Sequence, residues 1–356
     1  MHAPYGRSAT RERGGGTDVA GVVVLGGCAA WSLISATGRE ARPEGVLLAV
    51  FAVAAGYAFG RICGTLLPVA AASTLSLAAL GLAMASPEGV PGAGAGDPLQ
   101  PGHTGAAAAL LVLAAGAASC AACAARPPVL RLALRGLASA VACTALWLGS
   151  VAGFAAATGV LLCSLAVARM HRRTVPLGAL ALVTGLLVAT SWGVAEDALP
   201  DGLTVSLEGQ LTQNRVALWH DAVELAEDEP LRGVGPDRFG LLSPTAQQVA
   251  GSDGKPHSAS LQQAAEQGVV GVVLLGAAFG WMLYGLWRSP RSTPVVLSAG
   301  AALTALAALA SLGNALSFAP VTAGAGLLAG LATARVAGGD PAQTDDDPAP
   351  AAARTR

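Results

Sequence analysis

The sequence predicts an all-α, polytopic helical membrane protein, with about ten transmembrane helices and one large extracytoplasmic loop. Of its 356 residues, 53% are hydrophobic and only 12% are charged, about half the charged fraction of a soluble domain. Mean hydropathy is +0.57, and the apolar residues lie in blocks long enough to cross a bilayer. The net charge of −1 provides no basic field for a nucleic acid. Composition therefore argues against a cytosolic enzyme and against a nucleic-acid-binding protein.

The predicted spans follow from the hydrocarbon thickness, which requires about 20 apolar residues per helix. Ten stretches meet this condition: 19–37, 45–63, 66–86, 105–125, 130–149, 152–168, 175–193, 269–287, 294–313 and 316–336. They divide the chain into a disordered tail (1–18), seven spans (19–193), a loop (194–268), three spans (269–337) and a second disordered tail (338–356). The second tail is rich in Pro, Ala and Asp, a composition typical of disorder.

The placement of basic residues predicts the orientation of these spans. With both termini in the cytoplasm, the inside segments carry 15 basic residues and the outside segments carry six. The outside six are Arg39, Arg42, Arg215, Arg232, Arg238 and Lys255. This asymmetry follows the positive-inside rule. The sequence therefore predicts that the 194–268 loop faces outward from the cytoplasmic membrane.

The long loop has the pattern of a folded segment. It holds 12 of the 22 acidic residues. Asn214 can cap a helix whose apolar stripe is Val216, Trp219, Val223 and Ala226. Pro230 ends that helix, a Gly-Pro turn follows at 233–237, and Ser258 or Ser260 can cap a second helix that leads into the eighth span.

The chemistry-bearing residues of the sequence are concentrated in this loop. Arginine presents planar donors to phosphate oxygens, and histidine can accept a proton from a hydroxyl near neutral pH. Each residue also has a simpler interpretation: a surface arginine is most often an ion-pair partner, and Trp219 is most simply an anchor. The spans carry no mid-membrane carboxylate, which weakens an ion-coupled transporter as an alternative.

Three loop segments resemble motifs of the O-antigen ligase and polymerase superfamily. They are NRVALW at 214–219, EPLRGVGPDRF at 229–239 and HSASLQQAAEQGVVG at 257–271. Their order, their gaps and their position between two spans all match the family pattern, densely over 214–271.

The resemblance implies a GT-C-like glycosyltransferase that moves a glycan from a polyprenyl-diphosphate carrier, such as undecaprenyl diphosphate, on the outer face of the membrane. The partners it implies are this lipid-linked donor and a glycan, lipid or wall acceptor, without a cofactor or an essential metal and without a nucleic acid. His257 becomes the candidate base or acceptor-positioning residue, and Arg215 the candidate diphosphate ligand. The candidate substrate-binding residues are Arg232, Arg238, Trp219, Gly235 and Ser150.

One departure from the family pattern bears directly on the chemistry. Family members often carry an arginine where one span ends outside and the next begins, and here Val151 stands at that place beside Ser150. Another cation (Arg39, Arg42, Arg232 or Arg238) could substitute, the substrate could differ, or catalysis could be lost. The alternative function is therefore a non-catalytic relative that binds a lipid-linked glycan or scaffolds envelope polysaccharide assembly.

Overall fold

The protein is entirely helical over the residues described by the computed structural model, which are 9–85, 101–167, 173–196, 213–248 and 253–335. The helices are α1 (Ala9–Ala36), α2 (Glu44–Leu66), α3 (Pro68–Ala85), α4 (Pro101–Ala124), α5 (Pro128–Trp147), α6 (Val151–Val167), α7 (Thr174–Ala195), α8 (Gln213–Asp228), α9 (Phe239–Leu242), α10 (Pro244–Gln248), α11 (Ala259–Trp287), α12 (Thr293–Ser311) and α13 (Ala319–Thr333). A short 3₁₀ turn at Ala315–Ser317 precedes α13. The predicted tail 338–356 lies outside the described residues.

Each of the ten predicted spans corresponds to a helix, but two of these helices are short. Within the described residues, eight helices are long and apolar enough to cross a membrane. The exceptions are α6, with 17 residues, and α13, with 15. At 1.5 Å per residue these reach only about 26 and 22 Å, less than the thickness of a hydrocarbon core. The chain is a multi-pass membrane protein.

Helix α4 forms the centre of the helical bundle. In an apolar stretch of 18 residues within its membrane-length part, Gly105–Ala124, 89% of the residues are buried. The same share for α2 is 11%. Alanine, glycine and serine dominate this helix, and small side chains allow neighbouring helices to approach closely without a hydrophobic driving force from lipid. Helices α3, α5, α6, α12 and α13 pack around it.

The tightest helix pair is α2 with α13. Gly56, Gly60 and Gly64 follow one another at four-residue spacing along α2. A Cβ atom on Gly56 would lie 2.2 Å from the Ala323 carbonyl oxygen, and one on Gly60 would lie 2.3 Å from that of Leu327. Because each step of four along α2 corresponds to a step of four along α13, the two helices run in the same direction.

One end of the bundle is closed by a buried cation. Arg291 lies between α11 and α12, where its Nε donates to the Ala334 carbonyl at 2.9 Å and its Nη2 donates to that of Gly64 at 2.6 Å. These carbonyls are at the carboxyl-terminal ends of α13 and α2, where a cation complements the helix dipole. Arg173, the last residue of the basic segment RMHRR at 169–173, donates to the Ser289 carbonyl at the same end. This end therefore gathers segments that the charge pattern assigns to the cytoplasm.

The connections at the opposite end assemble around the long loop. The Arg42 backbone N–H, in the α1–α2 connection, donates to the Pro236 carbonyl at 3.0 Å. Asn314, in the α12–α13 connection, donates to Asp253 at 2.9 Å. Three segments that are distant in the sequence thus meet on one face of the membrane domain.

Candidate functional site

Helix α8 supports the candidate site through a small core of its own. The predicted apolar stripe packs inward: Trp219 and Val223 are buried, together with Phe239, Ala246 and Leu261. The Trp219 indole N–H donates to the Pro256 carbonyl at 2.7 Å, the residue immediately before His257. The predicted role of Trp219 as an anchor agrees with this geometry.

The Gly-Pro turn is held against α11 by backbone hydrogen bonds. The Val234 N–H donates to the Ala265 carbonyl at 2.8 Å, and the Gly235 N–H donates to that of Glu266 at 2.9 Å. Both glycines of the turn have positive φ, at 60° for Gly233 and 107° for Gly235. A Cβ on Gly233 would lie 2.4 Å from the Gln267 nitrogen, so glycine is required there both by conformation and by space.

Helix α11 contains a break that separates its loop part from its membrane part. Gly268 has φ 66° and ψ −167°, a conformation that only glycine adopts readily. The Val269 N–H donates to the Pro230 carbonyl at 2.8 Å across this break. The second loop helix was predicted to run from Leu261 toward the span, and the structure adds the kink that redirects it. Ser258 occupies the N-cap position without making a side-chain cap.

His257 is held by a carboxylate on a turn of unusual backbone conformation. Its φ is 53°, in the left-handed region that few non-glycine residues occupy. Its Nε2 lies 3.3 Å from Asp253 Oδ1, while Asn314 Nδ2 donates to the other oxygen of Asp253 at 2.9 Å. The His257 Nδ1 is buried and has no hydrogen-bond partner among the described residues. Asn314 and Asp253 thus fix both the ring and the turn.

The ion pair with His257 predicts a pH dependence of stability. Burial by itself raises the pKa of Asp253. The hydrogen bond and the electrostatic interaction with His257, together with the interactions with Lys255, outweigh burial and lower this pKa below its ordinary value of 3.8. Since the folded pKa is lowered, this stabilisation is present above the unfolded value and is lost as pH falls through the folded value. We expect Asp253→Asn to lower Tm by roughly 3–6 °C near pH 7.

The measurement that checks this expectation is thermal unfolding of the purified protein in detergent between pH 7 and pH 3. The difference between wild type and Asp253→Asn should narrow as pH falls below the ordinary pKa of aspartate. A difference that stays constant down to pH 3 would show that the Asp253 charge contributes nothing to stability.

A cavity of about 590 Å³ opens beside these segments, a volume in the range of small-molecule sites. Its deep wall is apolar and includes Val50, Leu274, Phe279, Met282 and Leu306, from α2, α11 and α12. Its polar wall comes mainly from the loop face and includes Arg42, Glu44, Asp237, Lys255, Gln262, Glu266 and Asn314. The cavity therefore offers charged groups at one end and hydrocarbon surface at the other.

Glu266 is the buried carboxyl group of this wall. Only 3% of the residue is exposed. Its carboxylate accepts the Asp237 backbone N–H, and Gln262 Nε2 donates to Oε1 at 3.4 Å. Lys255 interacts favourably and Asp237 unfavourably with its negative charge.

The structure distributes the predicted site residues over different places. Arg232 donates to the Ile34 and Thr37 carbonyls at 2.6 and 3.2 Å, at the carboxyl-terminal end of α1. Arg238 donates to the Val234 carbonyl at 3.2 Å, within its own turn. Ser150 accepts the Gly153 N–H at 3.1 Å at the start of α6. None of the seven predicted site residues lines the cavity. They are Arg232, Arg238, Ser150, Gly235, Trp219, Arg215 and His257.

Arg215 lies on α8, the helix whose Trp219 contacts the residue before His257. It lies one helical turn before Trp219, whose indole contacts Pro256. The residue is half-buried, and burial lowers the pKa of its guanidinium below its ordinary value, although arginine stays cationic at neutral pH. Its position on the loop helix keeps it outside the spans.

The cavity contributes site residues that the motifs did not identify. Arg42 was considered only as one of four substitutes for the missing arginine at Val151, and Lys255 only as a loop cation. The contribution of Asn314 had no signal in the sequence, because this residue lies in a connection 61 positions after its partner Asp253. Val151 itself is 69% exposed at the start of α6.

Comparison with known families identifies the segment that builds this site. Residues 136–276 match the O-antigen ligase family model, and the match covers the three loop motifs. No curated protein and no solved structure matched the chain. This family relationship suggests ligation or polymerisation of lipid-linked glycans. The chain is thus a multi-pass membrane protein whose residues 136–276 match the O-antigen ligase family.

Proposed function

We propose that the protein transfers a glycan from a polyprenyl-diphosphate carrier to an acceptor hydroxyl, or polymerises carrier-linked repeat units, on the outer face of the cytoplasmic membrane. The observation that carries this proposal is the cavity whose charged mouth continues into an apolar wall. A polyprenyl diphosphate has the same two parts, a dianionic head and a hydrocarbon chain. In this arrangement all ten apolar helices cross the membrane, both termini are cytoplasmic, and the 194–268 loop lies outside.

The cations at the cavity mouth supply the first requirement of the transfer. Negative charge builds on the diphosphate as it departs, and fixed donors aimed at that charge stabilise the transition state. Arg42 and Lys255 are the basic residues on the cavity wall. We therefore assign them as diphosphate ligands, in the role that the missing arginine at Val151 would fill. Arg215 does not line the cavity, and we retain it as a diphosphate ligand only because the motif resemblance implies that role.

The resemblance implies that His257 is a base or an acceptor-positioning residue, and we assign it instead the positioning of the turn that carries Lys255. Asp253 holds its ring at 3.3 Å, and Lys255 lies between these two residues in the sequence. Loss of the ring would release the segment that presents Lys255 to the cavity. Arg232 and Arg238 act indirectly in this arrangement, because their guanidinium groups support the loop backbone.

The test is complementation of a strain from which the gene has been deleted, read out as the surface glycan profile at matched protein levels. We expect wild type to restore a missing polymer and Arg42→Ala, Arg215→Ala and His257→Ala to restore little of it. Loss of one charge-assisted hydrogen bond costs about 1.5–3 kcal/mol, roughly a 10- to 150-fold loss of binding or rate. Arg126→Ala is the matched control, since Arg126 is an exposed residue on the predicted cytoplasmic side.

The outcomes separate the two candidate functions. Accumulation of a polyprenyl-diphosphate glycan in membranes of the deletion strain would show that transfer from the carrier is the missing step. If all three variants restored the polymer as well as wild type, the assigned residues would be structural. The non-catalytic relative, which Val151 in place of the family arginine favours, would then be the better description.

A further inference from the structure

We propose that Glu266 is the catalytic residue that takes the proton from the acceptor hydroxyl, and that His257 is a positioning residue. This inference rests on the proposed function and names a group for the proton-transfer step of that reaction. The reasons are the place of each side chain relative to the cavity and the partners that each side chain already has.

Glu266 contributes to the cavity wall, whereas His257 does not. A general base must come within hydrogen-bond reach of the proton it removes. The Glu266 carboxylate stands on the same wall as Arg42 and Lys255, the cations assigned to the diphosphate. Lys255 also acts electrostatically on the Glu266 carboxylate, so a sugar whose diphosphate is held by these cations lies in the same cavity as that carboxylate.

The partners of Glu266 suit a group that alternates between the charged and the neutral form. The Asp237 N–H and the Gln262 amide can stabilise its negative charge in the absence of water. No side-chain cation makes an ion pair with it among the described residues, so its lone pairs are not fully committed. The charged groups that also line the cavity are Arg42, Glu44, Asp237 and Lys255.

His257 is committed to different contacts. Its Nε2 faces Asp253, which Asn314 holds in turn. Its Nδ1 is enclosed by protein, away from the cavity wall. The ring therefore fixes the 253–258 turn and with it Lys255.

The proposed step balances as a direct displacement. The acceptor hydroxyl oxygen forms a bond to the anomeric carbon of the carrier-linked sugar, and the bond between that carbon and the phosphate oxygen breaks. The bonding electron pair leaves with the polyprenyl diphosphate, next to Arg42 and Lys255. The hydroxyl proton passes to the Glu266 carboxylate, and the departing diphosphate or water then removes it.

The variant that isolates this role is Glu266→Gln, which keeps the size of the side chain and an acceptor for the Asp237 N–H. General-base catalysis contributes roughly 10²–10⁴-fold, so we expect at least a 100-fold loss of glycan transfer. Binding of undecaprenyl diphosphate, used as the probe with the full-length protein in nanodiscs, should stay within about threefold of wild type. Glu266→Asp, which retains a carboxylate, should recover part of the transfer rate.

Two further variants make the comparison specific. His257→Ala should weaken probe binding and transfer together, because Lys255 loses its support. Glu224→Gln is the matched control, since it makes the same chemical change on an exposed face of α8, and it should transfer at the wild-type rate. Size-exclusion and thermal unfolding of each variant confirm that comparisons are made between folded proteins.

The outcomes decide between the two candidate bases. Transfer by Glu266→Gln within threefold of wild type, combined with loss of transfer but unchanged probe binding in His257→Ala, would overturn the proposal and make His257 the base. Loss of probe binding in Glu266→Gln would also overturn it, since the carboxyl group would then serve binding. A wild-type protein that transfers no glycan from the lipid carrier would instead refute the proposed function itself.

Discussion

Replacing Gly60 by leucine is expected to destabilise the membrane domain strongly. A Cβ at this position would lie 2.3 Å from the Leu327 carbonyl oxygen and 3.0 Å from the Leu331 nitrogen, both backbone atoms of α13. Backbone atoms cannot rotate away, so α2 and α13 would have to separate along their whole contact. Overpacking of this kind costs about 3 kcal/mol, and the lost contact between the helices adds to it.

The measurement is the Tm and the yield of monodisperse protein in detergent, with Gly81→Leu as the control. Gly81 lies on an exposed face of α3, with no atom within 4 Å of an added Cβ. We expect the Gly60 variant to lose on the order of 10 °C in Tm, while the control remains close to wild type. Equal stability of the two variants would show that the close approach of α2 and α13 does not contribute to folding.

Replacing Gly268 by alanine is expected to dismantle the site while the membrane domain stays inserted. An added Cβ would lie 2.4 Å from the carbonyl carbon and from the carbonyl oxygen of Leu231. The backbone φ of 66° at this position is also unfavourable for alanine. Relief of this strain requires α11 to straighten. Straightening breaks the hydrogen bond from the Val269 N–H to the Pro230 carbonyl, and it moves Glu266. Transfer should fall at least about 100-fold, in line with the loss of a general base.

Limited proteolysis of the loop together with the transfer assay checks this expectation. The control is Gly280→Ala, in the membrane part of the same helix, where an added Cβ meets no atom within 4 Å. The Gly268 variant should be cleaved faster in the loop while its membrane helices stay protected. Wild-type transfer by this variant would refute the requirement for the kink.

The helices themselves were largely predictable because the hydrocarbon core imposes a length and a composition on each of them. All ten apolar stretches became helices, and the stripe Val216, Trp219 and Val223 packs inward as its spacing predicts. The sequence overestimated the reach of one helix, since α13 covers only Ala319–Thr333 of the predicted stretch 316–336, whereas α6 has the 17 residues that were predicted for it. Hydropathy measures apolarity along the chain, but it does not report where a helix ends at a packed neighbour.

The site was predictable only as a segment. The motifs located the loop and the turn at 229–239, and they included both His257 and Glu266. Periodicity carries no information on which of these two faces a cavity, because that depends on the kink at Gly268 and on Asp253. Nor could it reveal that Arg232 is committed to carbonyls of α1.

By itself the sequence determined the membrane class, the helical segments, the orientation favoured by charge and the motif-bearing loop, because each depends on local composition or on short spacing. Only the tertiary structure decided which residues line the cavity. Arg42, Lys255, Glu266 and Asn314 come from the α1–α2 connection, the loop, α11 and the α12–α13 connection, and they meet through packing between distant segments. That packing depends on the close contact of α2 with α13 and on the positive-φ glycines, whose effect appears only when the whole chain is folded.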